Sequence, residues 1–410
     1  MEITLEKSGP RQAEPPWIWP RAVYLHVPFC AHHCGYCDFA VVAGKDFLMD
    51  QYLDGLVAEM STLGQPQQVN SIFIGGGTPT YLDCRRLERL LTEIQRWFIP
   101  AEDHDPNSSG IEFSVEANPG TLTDEKVKVL ADHGVTRVSL GSQSFQPHVL
   151  QVLERDHSPA DVNRAVEAVK ARISQVSLDL IFGVPGQTQD DWRQDLQRTL
   201  ELQPDHVSTY GLTYEKGTRL WKQRKLGEVQ SLDEETELAM YLDGLDILHA
   251  AGFEHYEISN HARPGKRCRH NQVYWANEAY FGFGLGAARY IEGRRELNTR
   301  SIQEYIRKAL AGESPTFQSE KLEPVERARE TMALQLRRSE GIDRQGFRNQ
   351  TGFSLDHLAG VALVRHVELG LLKDTVDTVH LTRKGKCVAD AVIREMMRGD
   401  GSRPTPEYPE

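Results

Sequence analysis

Short runs of β-branched and aromatic residues recur along the first half of the chain. Each run is followed by a polar or glycine-rich turn and then by a stretch whose apolar positions repeat with helical spacing. The runs lie at residues 23–27, 69–74, 111–115, 137–140, 176–182 and 206–210. Six such units without a dinucleotide-binding fingerprint predict an α/β fold, an incomplete (β/α)6 barrel of the TIM type with helices outside a parallel sheet.

The pattern changes beyond residue 300, where helical spacing dominates. Residues 324–337 show a clear helical pattern, and residues 371–385 predict a short hairpin before a last helix, an order that resembles a winged helix. The domains predicted from these changes are an extended leader at 1–20, the barrel at 21–300, a mainly helical, winged-helix-like C-terminal domain at 301–398 and a disordered tail at 399–410.

Composition limits the kinds of partner that the protein is expected to bind and the compartment in which it is expected to occur. The 410 residues carry a formal net charge of -12, which disfavours binding to a nucleic-acid backbone. The chain contains no run of about 18 apolar residues, and its first residues are acidic and polar, unlike a secretory signal. The chain has six cysteines, three of them scattered singly, which suits a reducing compartment. We therefore expect a cytoplasmic protein that neither spans a membrane nor binds nucleic acid.

Chemically unusual residues follow every predicted strand, at the point where the strand ends. They are the cysteine-rich segment 30–37, the glycines at 75–77, Glu116, the segment 141–145, Asp179 with the segment 183–188, and the segment 212–215. Because the carboxyl ends of barrel strands meet at one face, we expect these residues to form a single site.

Three thiols lie close together in the first of these segments, at Cys30, Cys34 and Cys37. An odd number of neighbouring cysteines does not suit a disulfide framework. Zinc is one alternative, with His32 or His33 as a fourth ligand, although the chain has no second cysteine pair of the kind that structural zinc sites use. The pattern favours an iron–sulfur cluster in which one iron lacks a protein ligand and can bind a small molecule.

The remaining strand-end residues each allow two interpretations. Glycines 75–77 form either a tight turn or a place where the backbone approaches a ligand. Glu116, Asp179, Gln143 and Arg155 are either structural polar residues or the partners that ribose, adenine and a methionine carboxylate require. The residues alone do not decide between these alternatives.

Six motifs in order resemble the oxygen-independent coproporphyrinogen III oxidase family of radical S-adenosylmethionine (SAM) proteins. They are YLHVPFCAHHCGYC at 24–37, GGGTPT at 75–80, EANP at 116–119, GSQSF at 141–145, LERDH at 153–157 and DLIFGVPGQT at 179–188. The resemblance covers residues 22–395. It implies a radical SAM barrel in which Cys30, Cys34 and Cys37 hold a 4Fe-4S cluster. It also implies a SAM site lined by Tyr24, Tyr36, Gly76, Gly77, Thr78, Glu116, Gln143, Arg155 and Asp179.

The resembling family has two branches, an oxidase and a heme chaperone. The oxidase converts two propionates of coproporphyrinogen III to vinyl groups, and the chaperone carries heme to acceptor proteins. The oxidase has a further cysteine two positions after the third cluster ligand, where this chain has Phe39. It also has a longer amino-terminal arm than the segment 1–29. The segment HNQVYW at 270–275 matches the HNxxYW hallmark of the chaperone branch. All three features predict a heme chaperone, with the oxidase as the alternative.

The HNQVYW segment itself permits two roles for His270. A histidine among aromatic residues is commonly a hydrogen-bonded wall residue, but histidine is also the usual proximal heme ligand, and Tyr274 could stack on a porphyrin. The resemblance implies heme as a cofactor, with His270 and Tyr274 as its site, and heme-requiring acceptors, respiratory ones among them. The sequence leaves open whether the chain has enzymatic activity, whether it forms a homodimer and whether an acceptor is membrane-associated.

Overall fold

The structure is a computed structural model that describes residues 18–101 and 110–398. The predicted tail at 399–410 and most of the predicted leader at 1–20 lie outside the described residues. In the described ranges, no helix is both long enough and apolar enough to cross a membrane.

Strands and helices alternate through the first half of the chain. The strands are β1 Ala22–Val27, β2 Phe29–Cys30, β3 Val42–Ala43, β4 Gln67–Val69, β5 Ser71–Gly76, β6 Phe98–Pro100, β7 Glu112–Ala117, β8 Arg137–Gln143, β9 Gln175–Phe182 and β10 His206–Gly211. The helices are α1 Met49–Ser61, α2 Cys84–Trp97, α3 Asp124–Asp132, α4 Pro147–Val152, α5 Pro159–Lys170 and α6 Gln189–Glu201. Short 3-10 helices occur at Asp46–Leu48, Pro79–Tyr81 and Pro119–Thr121.

The middle of the chain adds smaller elements. The helices are α7 Arg219–Lys225, α8 Glu234–Ala250, α9 Arg269–Ala276 and α10 Ile302–Leu310. The strands are β11 Glu254–His255, β12 Asn260–Ala262, β13 Phe281–Phe283, β14 Ala288–Ile291, β15 Arg294–Asn298 and β16 Thr316–Lys321.

One large sheet contains all six predicted strands. They stand side by side in chain order as β1, β5, β7, β8, β9 and β10, and every pair of neighbours is parallel. Strand β13 continues the sheet beyond β1, while antiparallel β12 and then β11 continue it beyond β10. Within the described residues the sheet therefore has two separate ends, which confirms the prediction of an incomplete barrel.

Successive side chains of a strand point alternately to the inside of the barrel and to the layer of outer helices. In β1, Val23, Leu25 and Val27 are fully buried in the main apolar core, whereas Tyr24 and His26 alternate with them on the inner face. The outer helices begin at well-formed caps. At α6, the Thr188 hydroxyl accepts from the amide of Asp191, and the Asp191 carboxylate accepts from the amide of Thr188.

A second apolar core begins near Ala328 and ends near Met396. It is built from α11 Pro324–Gln335, β17 Ile342–Asp343, α12 Arg344–Thr351, α13 Leu355–Glu368, β18 Leu372–Asp374, β19 Thr378–Leu381, α14 Arg383–Lys386 and α15 Ala389–Arg398. The small sheet has the order β17, β19, β18, and the β18–β19 pair is the predicted hairpin. This succession of helices and strands is that of a winged helix.

Two features near residue 300 were not predicted from the sequence, and of their strands only β16 lies in the region where helices were expected. Helix α10 buries Ile302 and Tyr305 in the barrel core rather than in the second core. Strands β14, β15 and β16 form an antiparallel sheet of their own. The domain boundary at residue 300 remains a prediction.

Candidate functional site

A cavity of about 510 Å³ opens at the carboxyl ends of the barrel strands. Its wall contains residues from the carboxyl-terminal part of each of the six parallel strands or from the turn that follows it, as expected for one site. The predicted segment 183–188 does not line the cavity, and β9 contributes Asp179 and Ile181 instead. The predicted site residues that line it are Cys30, Cys34, Tyr36, Cys37, Gly76, Gly77, Thr78, Glu116, Gln143, Arg155 and Asp179.

The cysteine loop is closed at its base by a short strand pair. Strand β2 pairs with β3, and the amide of Val42 donates to the carbonyl of Pro28 at 2.7 Å. Inside the loop, the amide of Cys37 donates to the carbonyl of Cys34 at 3.1 Å. Near the other end of the loop, the side chain of His26 contacts the main chain, with its Nε2 2.9 Å from the carbonyl oxygen of Ala40. The three thiols are thus fixed on one wall of the cavity.

The glycine turn after β5 packs directly against this loop. Gly76 has a φ of 107°, and a Cβ there would lie 2.3 Å from the ring of His26. A Cβ on Gly77 would lie 2.6 Å from the carbonyl carbon of Pro28. The Thr78 hydroxyl lies 3.5 Å from the sulfur of Cys30. These glycines are therefore required by backbone packing, and the same packing brings their backbone to the cavity.

Two carboxylates, those of Glu116 and Asp179, line the cavity. Glu116 Oε2 accepts from the amide of Gly76 at 3.0 Å, and Asp179 Oδ2 accepts from the hydroxyl of Ser139 at 2.9 Å. Burial raises the pKa of Glu116 to about 7, and the negative charge of Asp179 adds to that shift. Burial also raises the pKa of Asp179. Both groups can accept hydrogen bonds from hydroxyls of a bound ligand.

Arg155 places a positive charge beside the cysteine loop. Its Nη2 donates to the carbonyl of Gly141 at 2.8 Å, and its Nη1 lies 3.6 Å from the sulfur of Cys34. Its Nε is buried and has no hydrogen-bond partner among the described residues. Gln143, with a φ of 62°, lies where the register between β8 and β9 shifts. This irregularity places the Gln143 side chain at the cavity.

The donor set fits a cluster with a small ligand. Among the described residues, no group of three or more His, Cys, Asp or Glu side chains converges to hold a single metal ion, as zinc would require. A cluster instead takes one thiolate at each of three corners, so its cysteines need not converge on one point. Arg155 lines the cavity beside these thiols, and its guanidinium carries the positive charge that a ligand carboxylate would need.

Three of the predicted residues lie outside the cavity wall. Tyr24 lies inside the barrel, where its hydroxyl is 3.1 Å from Nδ1 of His26. His270 is 1% exposed, its Nδ1 lies 3.1 Å from the Ser71 hydroxyl, and its Nε2 lies 3.0 Å from the Tyr274 hydroxyl. Ser71 is the first residue of β5, so His270 and Tyr274 sit at the end of the barrel opposite the cavity. In this structure His270 is a hydrogen-bonded wall residue.

The structure also contains a supporting residue that sequence reasoning missed. Asp195 is fully buried on α6 and accepts from the Ser144 hydroxyl at 2.6 Å and from the amide of Phe145 at 2.8 Å. These bonds fix the turn that follows Gln143. A possible signal was an acidic residue on the apolar face of a helix, between Trp192 and Leu196.

Sequence comparison identifies the family. Residues 24–199 match the Radical SAM superfamily, and residues 322–388 match the HemN C-terminal domain. The chain is 36% identical over 382 residues to the heme chaperone HemW of Lactococcus lactis, which covers 93% of this chain and 98% of that protein. The chain belongs to the HemW branch of the radical SAM proteins. This family membership confirms the resemblance predicted from the motifs, and it implies a 4Fe-4S cluster and SAM.

A second relative agrees with this assignment, and a solved structure has the same fold. The heme chaperone HemW of Bacillus subtilis is 37% identical over 378 residues, covering 91% of this chain and 98% of that relative. The coproporphyrinogen III oxidase HemN of Escherichia coli has a similar structure, with a TM-score of 0.79 over 92% of this chain and 90% of the oxidase. Its sequence is 21% identical, so this likeness concerns the fold alone.

Proposed function

We propose that this protein is a heme chaperone that takes up heme and passes it to heme-requiring acceptor proteins, respiratory ones among them. The proposal includes a 4Fe-4S cluster held by Cys30, Cys34 and Cys37, and SAM bound in the cavity. It is supported by relatives named as heme chaperones that match nearly the whole chain at 36% and 37% identity.

The structural observation that carries the proposal is the position of Phe39. This residue lines the cavity two positions after Cys37, and its side chain is 66% exposed. The resembling oxidase branch has a cysteine at the equivalent position. A phenyl group offers neither a thiol for redox or acid–base chemistry nor a metal ligand, but it offers a flat apolar surface. The cavity is therefore better suited to holding a planar ligand than to the oxidase reaction.

Different residues of the cavity would bind different parts of the two cofactors. The thiolates of the three cysteines would occupy three corners of the cluster, and the remaining iron would stay open to the amino-acid part of SAM. The Arg155 guanidinium would pair with its carboxylate, and Glu116 and Asp179 would accept from its hydroxyls. The chemistry that such a cluster would supply when bound is electron transfer to SAM.

The sequence predicts that heme binds through His270 and Tyr274. Such binding would require a change in the contacts of His270. Both ring nitrogens of His270 are hydrogen-bonded, and the ring stacks on Phe73 at a centroid distance of 5.2 Å. Ligation of heme iron by His270 thus requires the ring to leave Ser71 or Tyr274. Substitution His270→Ala tests this role, since it removes the imidazole.

One anaerobic experiment distinguishes the chaperone from the oxidase. The cluster is reconstituted, and heme is titrated while the Soret absorbance is followed. A parallel sample receives SAM, a reductant and coproporphyrinogen III, and its porphyrins are separated by chromatography. We expect saturable heme binding and no protoporphyrinogen. Turnover to protoporphyrinogen, or no heme uptake by cluster-loaded protein, would refute the proposal.

A further inference from the structure

Helix α9, which carries His270, is held between two parts of the molecule. At its first turn the helix is bonded to the barrel, because the amide of His270 donates to Oε1 of Glu112 at 3.2 Å. The imidazole ring lies against Ser71 and Phe73. The residues that follow His270 in α9 are half-buried, so the helix lies near the surface of the protein. It therefore covers His270 as a lid would.

The other end of α9 is bonded to the C-terminal domain, the unit built from α11 to α15. The side-chain amide of Gln350, on α12, donates to the carbonyl of Ala276 at 2.9 Å and to that of Asn277 at 3.2 Å. Gln335, on α11, donates to the same carbonyl of Ala276 at 3.2 Å. The last carbonyls of a helix have no partner within it, so these two glutamines supply donors that the end of α9 needs.

Two more contacts hold the same end of the helix. Asn277, which ends α9 with a φ of 55°, donates through its side-chain amide to the Thr331 hydroxyl at 2.9 Å. The guanidinium of Arg337 lies 5.3 Å from the centre of the Trp275 ring, a favourable cation–π distance. The residues of the C-terminal domain that make these contacts, here called the α9 clamp, are Thr331, Gln335, Arg337 and Gln350.

The C-terminal domain is also fixed to the barrel region by contacts that do not involve α9. Arg383, on α14, forms a bidentate pair with Asp246 of α8, at N–O distances of 2.6 and 2.8 Å. Lys386 Nζ lies 3.0 Å from Nδ1 of His255, on β11. Because these contacts can persist when the clamp opens, α9 can move without detachment of the domain.

We propose that the C-terminal domain controls the access of heme to His270, by holding α9 against the end of the barrel until the clamp releases it. This inference rests on the proposed chaperone function and on the predicted role of His270, and it adds how that role is regulated. His270 is 1% exposed and hydrogen-bonded at both ring nitrogens, so heme iron reaches it only in an open state. The apparent affinity for heme is then the intrinsic affinity reduced by the fraction of molecules that are open.

The test weakens the clamp and asks whether heme then binds more tightly. Gln350→Ala removes the donor to the two carbonyls at the end of α9. Gln350→Glu keeps the size of the side chain but places a carboxylate, which cannot donate, beside these carbonyls. Gln345→Ala is the matched control, because it removes an exposed glutamine of the same helix that donates to Asn349 within α12. All are full-length chains with a reconstituted cluster.

Two quantities are measured for each protein: the hydrogen exchange of the α9 amides without heme, and the Kd for heme from the Soret absorbance. We expect both Gln350 variants to exchange the α9 amides about tenfold faster and to bind heme with a Kd lower by about the same factor, because the lost hydrogen bonds favour the open state. Gln345→Ala should behave as the wild type. A merely structural role of Gln350 would instead weaken heme binding.

Three results would overturn the inference. The first is unchanged exchange of α9 in both Gln350 variants, and the second is faster exchange with an unchanged or higher Kd for heme. The third is an equal acceleration of exchange in α13, since α9 would then move only when the whole domain unfolds. In each of these cases heme binding by the wild type leaves the chaperone function standing. If neither the wild type nor the variants bind heme, the proposed function itself fails, and control of heme access fails with it.

Discussion

Replacing Glu116 by glutamine should remove a pH dependence of stability that originates in the cavity. Burial raises the pKa of this carboxyl group from 4.5 to about 7 in the folded chain. Between these two values the folded chain holds a proton that the unfolded chain releases. The free energy of unfolding of the wild type therefore contains a contribution that is fully present at acidic pH and is lost as the pH rises toward about 7.

The size of this contribution follows from the pKa difference. One pKa unit corresponds to about 1.4 kcal/mol, so raising the pH from about 5 to about 7.5 should cost the wild type about 2 kcal/mol relative to Glu116→Gln. The measurement is urea unfolding of both proteins at the two pH values, without added SAM. Comparing the two proteins cancels the other titrating groups, and Glu88→Gln, at an exposed position on α2, serves as the control. A stability difference between Glu116→Gln and wild type that does not change with pH would refute the reasoning.

Two further predictions concern the support of the site. Gly77→Ala places a methyl group 2.6 Å from the backbone of Pro28, so we expect about 1–3 kcal/mol of destabilisation and less iron bound per chain. Gly360→Ala, where no atom lies within 4 Å of the added Cβ, should bind iron normally; equal iron loss in both variants would contradict this account. Asp195→Ala should lower the free energy of unfolding by about 1–3 kcal/mol in urea, because buried donors of the turn after β8 lose their acceptor. Asp190→Ala, at a carboxylate 83% exposed on the same helix, should change stability little, and an equal loss there would argue against the assigned role.

The barrel and its site could be predicted from the sequence for a simple reason. Parallel strands covered on both faces leave a repeated apolar run, and the chemistry-bearing residues lie at or directly after the end of each run. Once the order of the strands is fixed, the carboxyl ends meet at one face, and residues as distant as Cys30 and Asp179 come together without further information. The structure brings eleven of the fourteen predicted residues to one cavity.

The placement of His270 could not be obtained in the same way. Its partner Ser71 is 199 positions away, and nothing local shows that α9 packs at the end of the barrel opposite the cavity. The aromatic residues around His270 are typical of a porphyrin site and equally of a packed interior. Only the three-dimensional contacts of its ring nitrogens distinguish the two.

The antiparallel sheet near residue 300 was missed because of an unusual turn. Strands β14 and β15 are joined by Glu292 and Gly293, and both have positive φ, at 50° and 73°. A two-residue hairpin turn of this kind is normally indicated by asparagine or aspartate before glycine. Because the first position of this turn is glutamate, the sequence does not indicate a hairpin here.

Transfer of heme to an acceptor tests the central claim most directly. The cluster-loaded protein is charged with one equivalent of heme, freed of excess by gel filtration, and mixed anaerobically with the apo form of a respiratory heme protein. The account predicts that the acceptor's own absorbance spectrum appears, and that it appears faster than with an equal amount of heme bound to serum albumin. If the acceptor gains heme no faster than from albumin, the protein is not acting as a heme chaperone.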